Sequence, residues 1–252
     1  MVTHNGSILI CGGIRFNRNL CIKLNSGAWK EHSTLKQERC LASVVATPTD
    51  TFAFGGGVSS FSRTTFEYLP KNSTTWRMGY TKIPKNFEMG CAIVSKSEQE
   101  VWLIGGYRTE KRILKFNVND HTFHEMTTQL HVDRYGHKCC FIPNTKQIMI
   151  TGGIGNHLGK NSTEIYNTED GSITKASPMN FERYGHGIGV ITIKGEDRLA
   201  VFGGSDGKKS LDSVEVFNTV TKKWETTHIK LNGGYHNFAF LEVKLADIIS
   251  KL

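Results

Sequence analysis

Five Gly-Gly doublets recur along this chain, and each closes a short apolar run. The runs are residues 7–11 before Gly12-Gly13, 51–54 before Gly55-Gly56, 101–104 before Gly105-Gly106, 147–151 before Gly152-Gly153 and 198–202 before Gly203-Gly204. Successive second glycines are 43, 50, 47 and 51 residues apart. A period near 50 residues is too long for the common helical repeats and long enough for a four-stranded blade. A repeat unit buries its apolar faces only against its neighbours, so the 252 residues read as one large all-β domain.

Each unit continues in the same order. A polar turn leads to a second apolar stretch, at 19–25, 64–70, 112–118, 163–168 and 213–219. A turn rich in Asn, Asp, Gly, Ser, Thr and Lys follows, then a large apolar residue opens a third stretch: Trp29, Trp76, Phe123, Ile173 and Trp224. The fourth stretch is led by Arg or an aromatic, at 38–47, 87–95, 133–142, 182–191 and 233–243. Four short strands joined by tight turns make a propeller blade. The 26 glycines against 5 prolines and the 38% hydrophobic content suit such a turn-rich fold and exclude a disordered chain.

The doublets, the Glu-aromatic-Asn type stretches (Glu164-Ile165-Tyr166-Asn167 and Glu215-Val216-Phe217-Asn218), the following Trp224 and the Arg-Tyr-Gly-His starts at 134–137 and 183–186 resemble the kelch repeat. The resemblance covers nearly the whole chain. It implies a five-bladed β-propeller of four-stranded kelch blades, with tryptophans filling space between blades. The expected units are blade 1 from 7–35 plus 233–243, blade 2 at 38–84, blade 3 at 86–130, blade 4 at 133–180 and blade 5 at 182–231, with a short tail at 245–252. Blade 1 is then closed by strand 233–243 pairing with 7–11, which leaves no open sheet edge.

In kelch propellers the channel mouth is lined by the starts of the innermost strands and by the loops after the doublets. Here the starts supply Arg39, Arg134, Tyr135, His137, Arg183, Tyr184, His186, Tyr235 and His236, and the loops supply Arg15, Phe16, Tyr107, Arg108, His157, Asp206 and Lys208. Arg, Tyr and His converging from several blades suit a carboxylate or phosphate held by forked guanidinium contacts, with rigid aromatic contact area around it. The same Arg and His are also part of the repeat, so each has a second reading as a structural group bonded to carbonyls of the neighbouring blade.

The excess of 31 Lys and Arg over 23 Asp and Glu, a net charge of +8, favours an acidic protein or peptide partner. The basic residues are scattered through turns and form no nucleic-acid motif, so nucleic acid is not expected. Catalytic patterns are incomplete. Gln129, Asp133 and His137 have the spacing of the iron site of plant specifier proteins, with Gln at the first carboxylate position, and Glu182 with His186 is similarly partial. The leading expectation is a monomeric, non-enzymatic interaction module without a cofactor. By resemblance it serves as the recognition part of a ubiquitin-ligase adaptor, a role that calls on a further chain or segment. The alternative is a small kelch-type metal-dependent or carbohydrate-active enzyme.

No apolar run approaches the 18 to 20 residues of a membrane helix, and residues 1–7 lack a secretory signal's basic start and apolar centre, which points to the cytoplasm. Sequons at Asn5, Asn72 and Asn161 keep a secreted origin open, with Asn72 and Asn161 falling in exposed turns as glycosylation candidates. Of the six cysteines, Cys139 and Cys140 point to opposite faces of one strand and read as small fillers. Cys11 and Cys21 lie on consecutive strands of the first unit, which leaves both a disulfide and two free thiols open.

Overall fold

The structure, a computed structural model, describes residues 2–13, 17–108, 111–155, 158–193 and 195–235. It is a five-bladed β-propeller of four-stranded antiparallel sheets. Blade 1 contains β1 (Val2–His4), β2 (Ser7–Cys11), β3 (Leu20–Asn25) and β4 (Ala28–Thr34). Blade 2 contains β5 (Ser43–Ala46), β6 (Asp50–Phe54), β7 (Phe66–Pro70) and β8 (Arg77–Met78), with a single helical turn α1 (Ser60–Arg63) between β6 and β7. Blade 3 is β9 (Cys91–Val94), β10 (Glu100–Ile104), β11 (Ile113–Asn117) and β12 (Phe123–Glu125).

Blade 4 is β13 (Lys138–Phe141), β14 (Gln147–Thr151), β17 (Thr163–Asn167) and β18 (Ile173–Ala176), with a small hairpin of β15 (Ile154–Gly155) and β16 (Leu158–Gly159) after its doublet. Blade 5 is β19 (Gly187–Ile193), β20 (Glu196–Phe202), β21 (Ser213–Asn218) and β22 (Lys223–Lys230). Among the described residues no helix is long and apolar enough to cross a membrane.

The continuous apolar runs before the doublets follow from burial on both faces of the second strand. Phe52 and Phe54 of β6 join a core with Val101 and Leu103 of β10, while Ala53, pointing the other way, joins blade 1 through Leu9, Leu35 and Trp76. Trp102 and Ile104 face blade 4 with Ile148, Ile150 and Tyr166, and Met149 faces blade 5 with Leu199, Val201, Phe217 and Trp224. The period of two thus decides which neighbour each side chain serves.

The doublets of blades 1 to 4 each stitch one blade to the next. The second glycine's N–H donates to the carbonyl of the residue leading toward the following inner strand: Gly13 to Arg39, Gly56 to Phe87, Gly106 to Arg134 and Gly153 to Arg183, while in blade 5 Gly204 donates to Tyr235 of the C-terminal segment. The first glycine lies against that same carbonyl. A Cβ on Gly55 would sit 1.8 Å from the Phe87 oxygen, and one on Gly152 2.2 Å from the Arg183 oxygen, both at positive φ, so the stitch admits only glycine. Nearer the axis, Met89 N–H donates to Leu41, Gly136 to Met89 and Gly185 to Gly136, linking blades 2 to 5 by successive residues of positive φ.

Two expectations are corrected. The inner partner of β2 is β1, with Val2 opposite Leu9 and His4 opposite Ser7, and not strand 233–243. Asn5 and Gly6, both at positive φ, form the two-residue turn that Asn-Gly favours, so the nearest strand in sequence takes the edge. Of the segment once expected there, Gly233 to Tyr235 run against blade 5, with Tyr235 N–H donating to Leu211; residues 236–243 lie outside the described residues, as does the tail at 245–252. Second, Trp29 does not fill an inter-blade space. Trp76 is fully buried between blades 1 and 2, whereas Trp29 is 47% exposed, because among the described residues no apolar cluster joins blade 5 to blade 1.

The cysteines also depart from small fillers. Cys11 and Cys21, directly opposite in β2 and β3, form a disulfide, and Cys91 on β9 is bonded to Cys139 on β13, tying blades 3 and 4 together. Cys40 and Cys140 take part in neither disulfide.

Candidate functional site

The arginines that lead the inner strands turn inward. Arg39, Arg134 and Arg183 are at most 1% exposed. Arg39 donates through Nε to Glu67, through Nη1 to the carbonyls of Gly55, Ser62 and Thr65 and through Nη2 to the Thr65 hydroxyl, all in its own blade. Arg134 repeats this with Glu164, Gly152 and Ser162, and Arg183 with Glu215, Gly203 and Ser213. The glutamates are buried too, and each accepts main-chain N–H groups from the entering strand: Lys36 and Gln37 on Glu67, His131 and Val132 on Glu164, Asn180 and Phe181 on Glu215. Burial lowers the pKa of all three arginines and the facing glutamates oppose that shift. They are clamps inside blades 2, 4 and 5, not mouth residues.

The two histidines of the Arg-Tyr-Gly-His starts share this fate. His137 and His186 are buried, and His186 Nε2 lies 2.8 Å from the Thr151 hydroxyl. Desolvation, helped by Arg134 and Lys138, lowers the pKa of His137 to about 3, and His186 is pushed well below its ordinary value by burial and Arg183. Both rings are neutral at physiological pH. Among the described residues no group of three or more His, Cys, Asp and Glu comes together as a metal site would need.

The tyrosines take the surface that the arginines leave. Tyr107 is exposed and meets Tyr135 edge-on at 5.3 Å, and the Arg108 guanidinium lies 5.5 Å from the Tyr107 ring centre. Tyr107 N–H donates to Glu88, and Tyr135 and Tyr184 exchange main-chain bonds with Ile154 and Ser205, the loop residues just past the doublets of their own blades. Tyr184 stands beside Gly136, so Tyr107, Tyr135 and Tyr184 gather at the axial end where those loops meet the inner-strand starts. Tyr235, half exposed, donates its hydroxyl to the Asn232 carbonyl. Asp206 accepts N–H groups from Lys208 and Lys209, which hold its carboxyl below the usual range. Arg15, Phe16, His157 and His236 lie outside the described residues.

Two groups at this end were missed in the sequence. Ser59 caps α1 in a reciprocal box with Ser62, which leaves Phe61 exposed at the rim. Arg63 pairs with Glu88 at 2.9 Å and bonds the Gly57 carbonyl. The capping signal was legible as Ser59-x-x-Ser62; the pair of Arg63 with Glu88 was not, since the two lie in different blades. Of the glycosylation candidates, Asn72 is exposed in a turn at positive φ, whereas the Asn161 side chain is partly buried and donates to the Met179 carbonyl.

A family model for the kelch motif matches residues 197–226, which run from β20 into β22 of blade 5. The doublet, stitch and strand order of that blade recur in the other four, and the chain is a kelch-repeat β-propeller. No curated protein sequence matches it.

Proposed function

We propose that this propeller is a protein-interaction module that binds a polar or acidic segment at the mouth carrying Tyr107, Arg108, Tyr135 and Tyr184. The observation that carries this reading is the exposed Tyr107 packed on Tyr135 with Arg108 against it, a rigid aromatic surface bearing a cation. Tyrosine gives large contact area at low entropic cost, and tyrosine and arginine are enriched among the residues that dominate binding energy at protein interfaces. Arg39, Arg134, Arg183, His137 and His186 support the site from within the blades and do not touch the partner. Tyr235 extends the surface past blade 5. The net charge of +8 steers acidic partners toward it. The kelch fold supports protein partners in general, while the two disulfides count against the likeness to adaptors that select targets for ubiquitination, which work in reducing compartments. The protein acts as a monomer and not as an enzyme. The Cys11–Cys21 and Cys91–Cys139 bonds favour an oxidising compartment over the cytoplasm.

The test is a binding screen against arrays of acidic and neutral peptides, repeated with Tyr107→Ala and Tyr135→Ala combined. Preference for acidic peptides and a loss of about tenfold or more in the variant are expected, as for removal of an interface anchor. Equal binding by wild type and variant would place the interface elsewhere.

A further inference from the structure

The inner strands begin at one level round the axis, fixed by register: Ser43 lies opposite Phe54, Cys91 opposite Ile104, Lys138 opposite Thr151 and Gly187 opposite Phe202. Each partner is the residue just before a doublet. Side chains at this level cross to the following blade. The Ser43 hydroxyl donates to the Gly90 carbonyl of blade 3, and the Cys91 sulfur is bonded to Cys139 of blade 4. Lys138 accordingly faces blade 5, where the equivalent residue is Gly187, without a side chain, preceded by His186. Thr151, opposite Lys138 on the same sheet face, holds His186 through Nε2, and His186 Nδ1 is buried without a hydrogen-bond partner.

Charge at this point is uncompensated. Arg134 and Arg183 each have a glutamate, while the partly buried Lys138 makes no ion pair or hydrogen bond through its ammonium among the described residues. The inner strands β5, β9, β13 and β19 carry no Asp or Glu. Its charge reaches both buried histidines, and desolvation draws its own pKa below the ordinary lysine value. A partly desolvated ammonium without a carboxylate partner is stabilised by an anion placed beside it.

We propose that Lys138, with Thr151 and His186 behind it, forms an oxyanion site at the channel wall between blades 4 and 5 that takes a single carboxylate or phosphate group. The site is separate from the tyrosine surface and goes beyond the binding role proposed for it. The anion comes either from solution or from an acidic side chain that a partner inserts along the axis.

Thermal unfolding at constant ionic strength, with sodium phosphate replacing sodium chloride, tests the site in wild type, Lys138→Met, Lys138→Arg and Tyr107→Ala. A saturable rise in Tm is expected in wild type, Lys138→Arg and Tyr107→Ala. Lys138→Met, at least as stable as wild type in chloride because it loses a partly desolvated charge, should show apparent affinity for phosphate at least about tenfold weaker, the worth of one hydrogen bond to a charged group. The same rise in Lys138→Met, or none in wild type, overturns the proposal. A blocked Gly-Glu-Gly peptide distinguishes the sources: competition with phosphate identifies a partner's side chain as ligand, and binding of phosphate alone identifies the free ion. Retention in Tyr107→Ala keeps the outcome independent of the mouth.

Discussion

Blades 3 and 4 fill one slot in opposite ways. In blade 4 the His131 N–H and the Arg134 guanidinium converge on Glu164. The same three positions in blade 3 are Pro84, Phe87 and Leu114. The bonding establishes the equivalence: Leu130 N–H donates to Lys111 as Ile83 N–H does to Thr64, so His131 and Pro84 stand at the same step. Leu114 faces Leu103 as Glu164 faces Ile150. All three members change together. Phenylalanine brings no cation, leucine no carboxylate, and proline no N–H left seeking an acceptor. The buried ion pair is therefore one of two self-consistent fillings, and the fold requires consistency more than charge.

Changing one member alone should break that consistency most severely. Leu114→Glu buries a carboxylate where neither guanidinium nor the N–H of residue 84 exists, and Glu164→Leu strands the Arg134 guanidinium. Each should lower the unfolding free energy by about 3–5 kcal/mol, measured by urea denaturation. A loss under about 1 kcal/mol would mean that water reaches the slot.

Exchanging the whole set should cost far less. His131→Pro, Arg134→Phe and Glu164→Leu combined copies blade 3 into blade 4 and is expected to stay within about 2 kcal/mol of wild type, since coordinated replacement of a buried pair by apolar groups is often near neutral. If the triple variant is as unstable as Glu164→Leu, neighbouring residues of blade 4 also depend on the pair.

Acid separates the blades next. Blades 4 and 5 carry His137 and His186 where blades 2 and 3 carry Ala42 and Gly90. Both histidines have folded pKa values below their unfolded ones, so their contribution is fully present above the unfolded value near 6.5 and is lost as pH falls toward the folded value, about 3 for His137. Unfolding free energy should fall by about 1.4 kcal/mol per pH unit per histidine across that window. His137→Gly with His186→Ala should flatten this part of the profile; an unchanged slope would assign it to carboxylates. The smallest effect belongs to the surface: Tyr107→Ala should change stability by less than about 1 kcal/mol in the same denaturation assay.

Blade number, strand order and the glycine stitches were legible because a doublet ending an apolar run reports a close main-chain approach wherever it occurs. The direction of the arginines was not, because position in a repeat does not tell whether a long side chain reaches out or folds back. A signal existed nonetheless. Arg134 and Arg183 travel with Glu164 and Glu215, while blade 3, led by Phe87, has Leu114 at the glutamate position. Reading the repeats against one another would have paired them. The N-terminal hairpin is hidden differently: Asn5-Gly6-Ser7 carries two signals at once, a sequon and an Asn-Gly turn, and the turn is the one that shapes the fold. The exposure of Trp29 had no local signal, since it depends on what stands beside blade 1.

The Cys91–Cys139 bond joins residues 48 apart, nearly one repeat length, and so closes a covalent ring around most of blade 3. A protease that cuts after the exposed Arg108 would open that ring without separating its ends. The nicked protein would migrate as one molecule until a reductant released two pieces, and the stretch bearing Tyr107 would stay tethered to the blade that carries Tyr135.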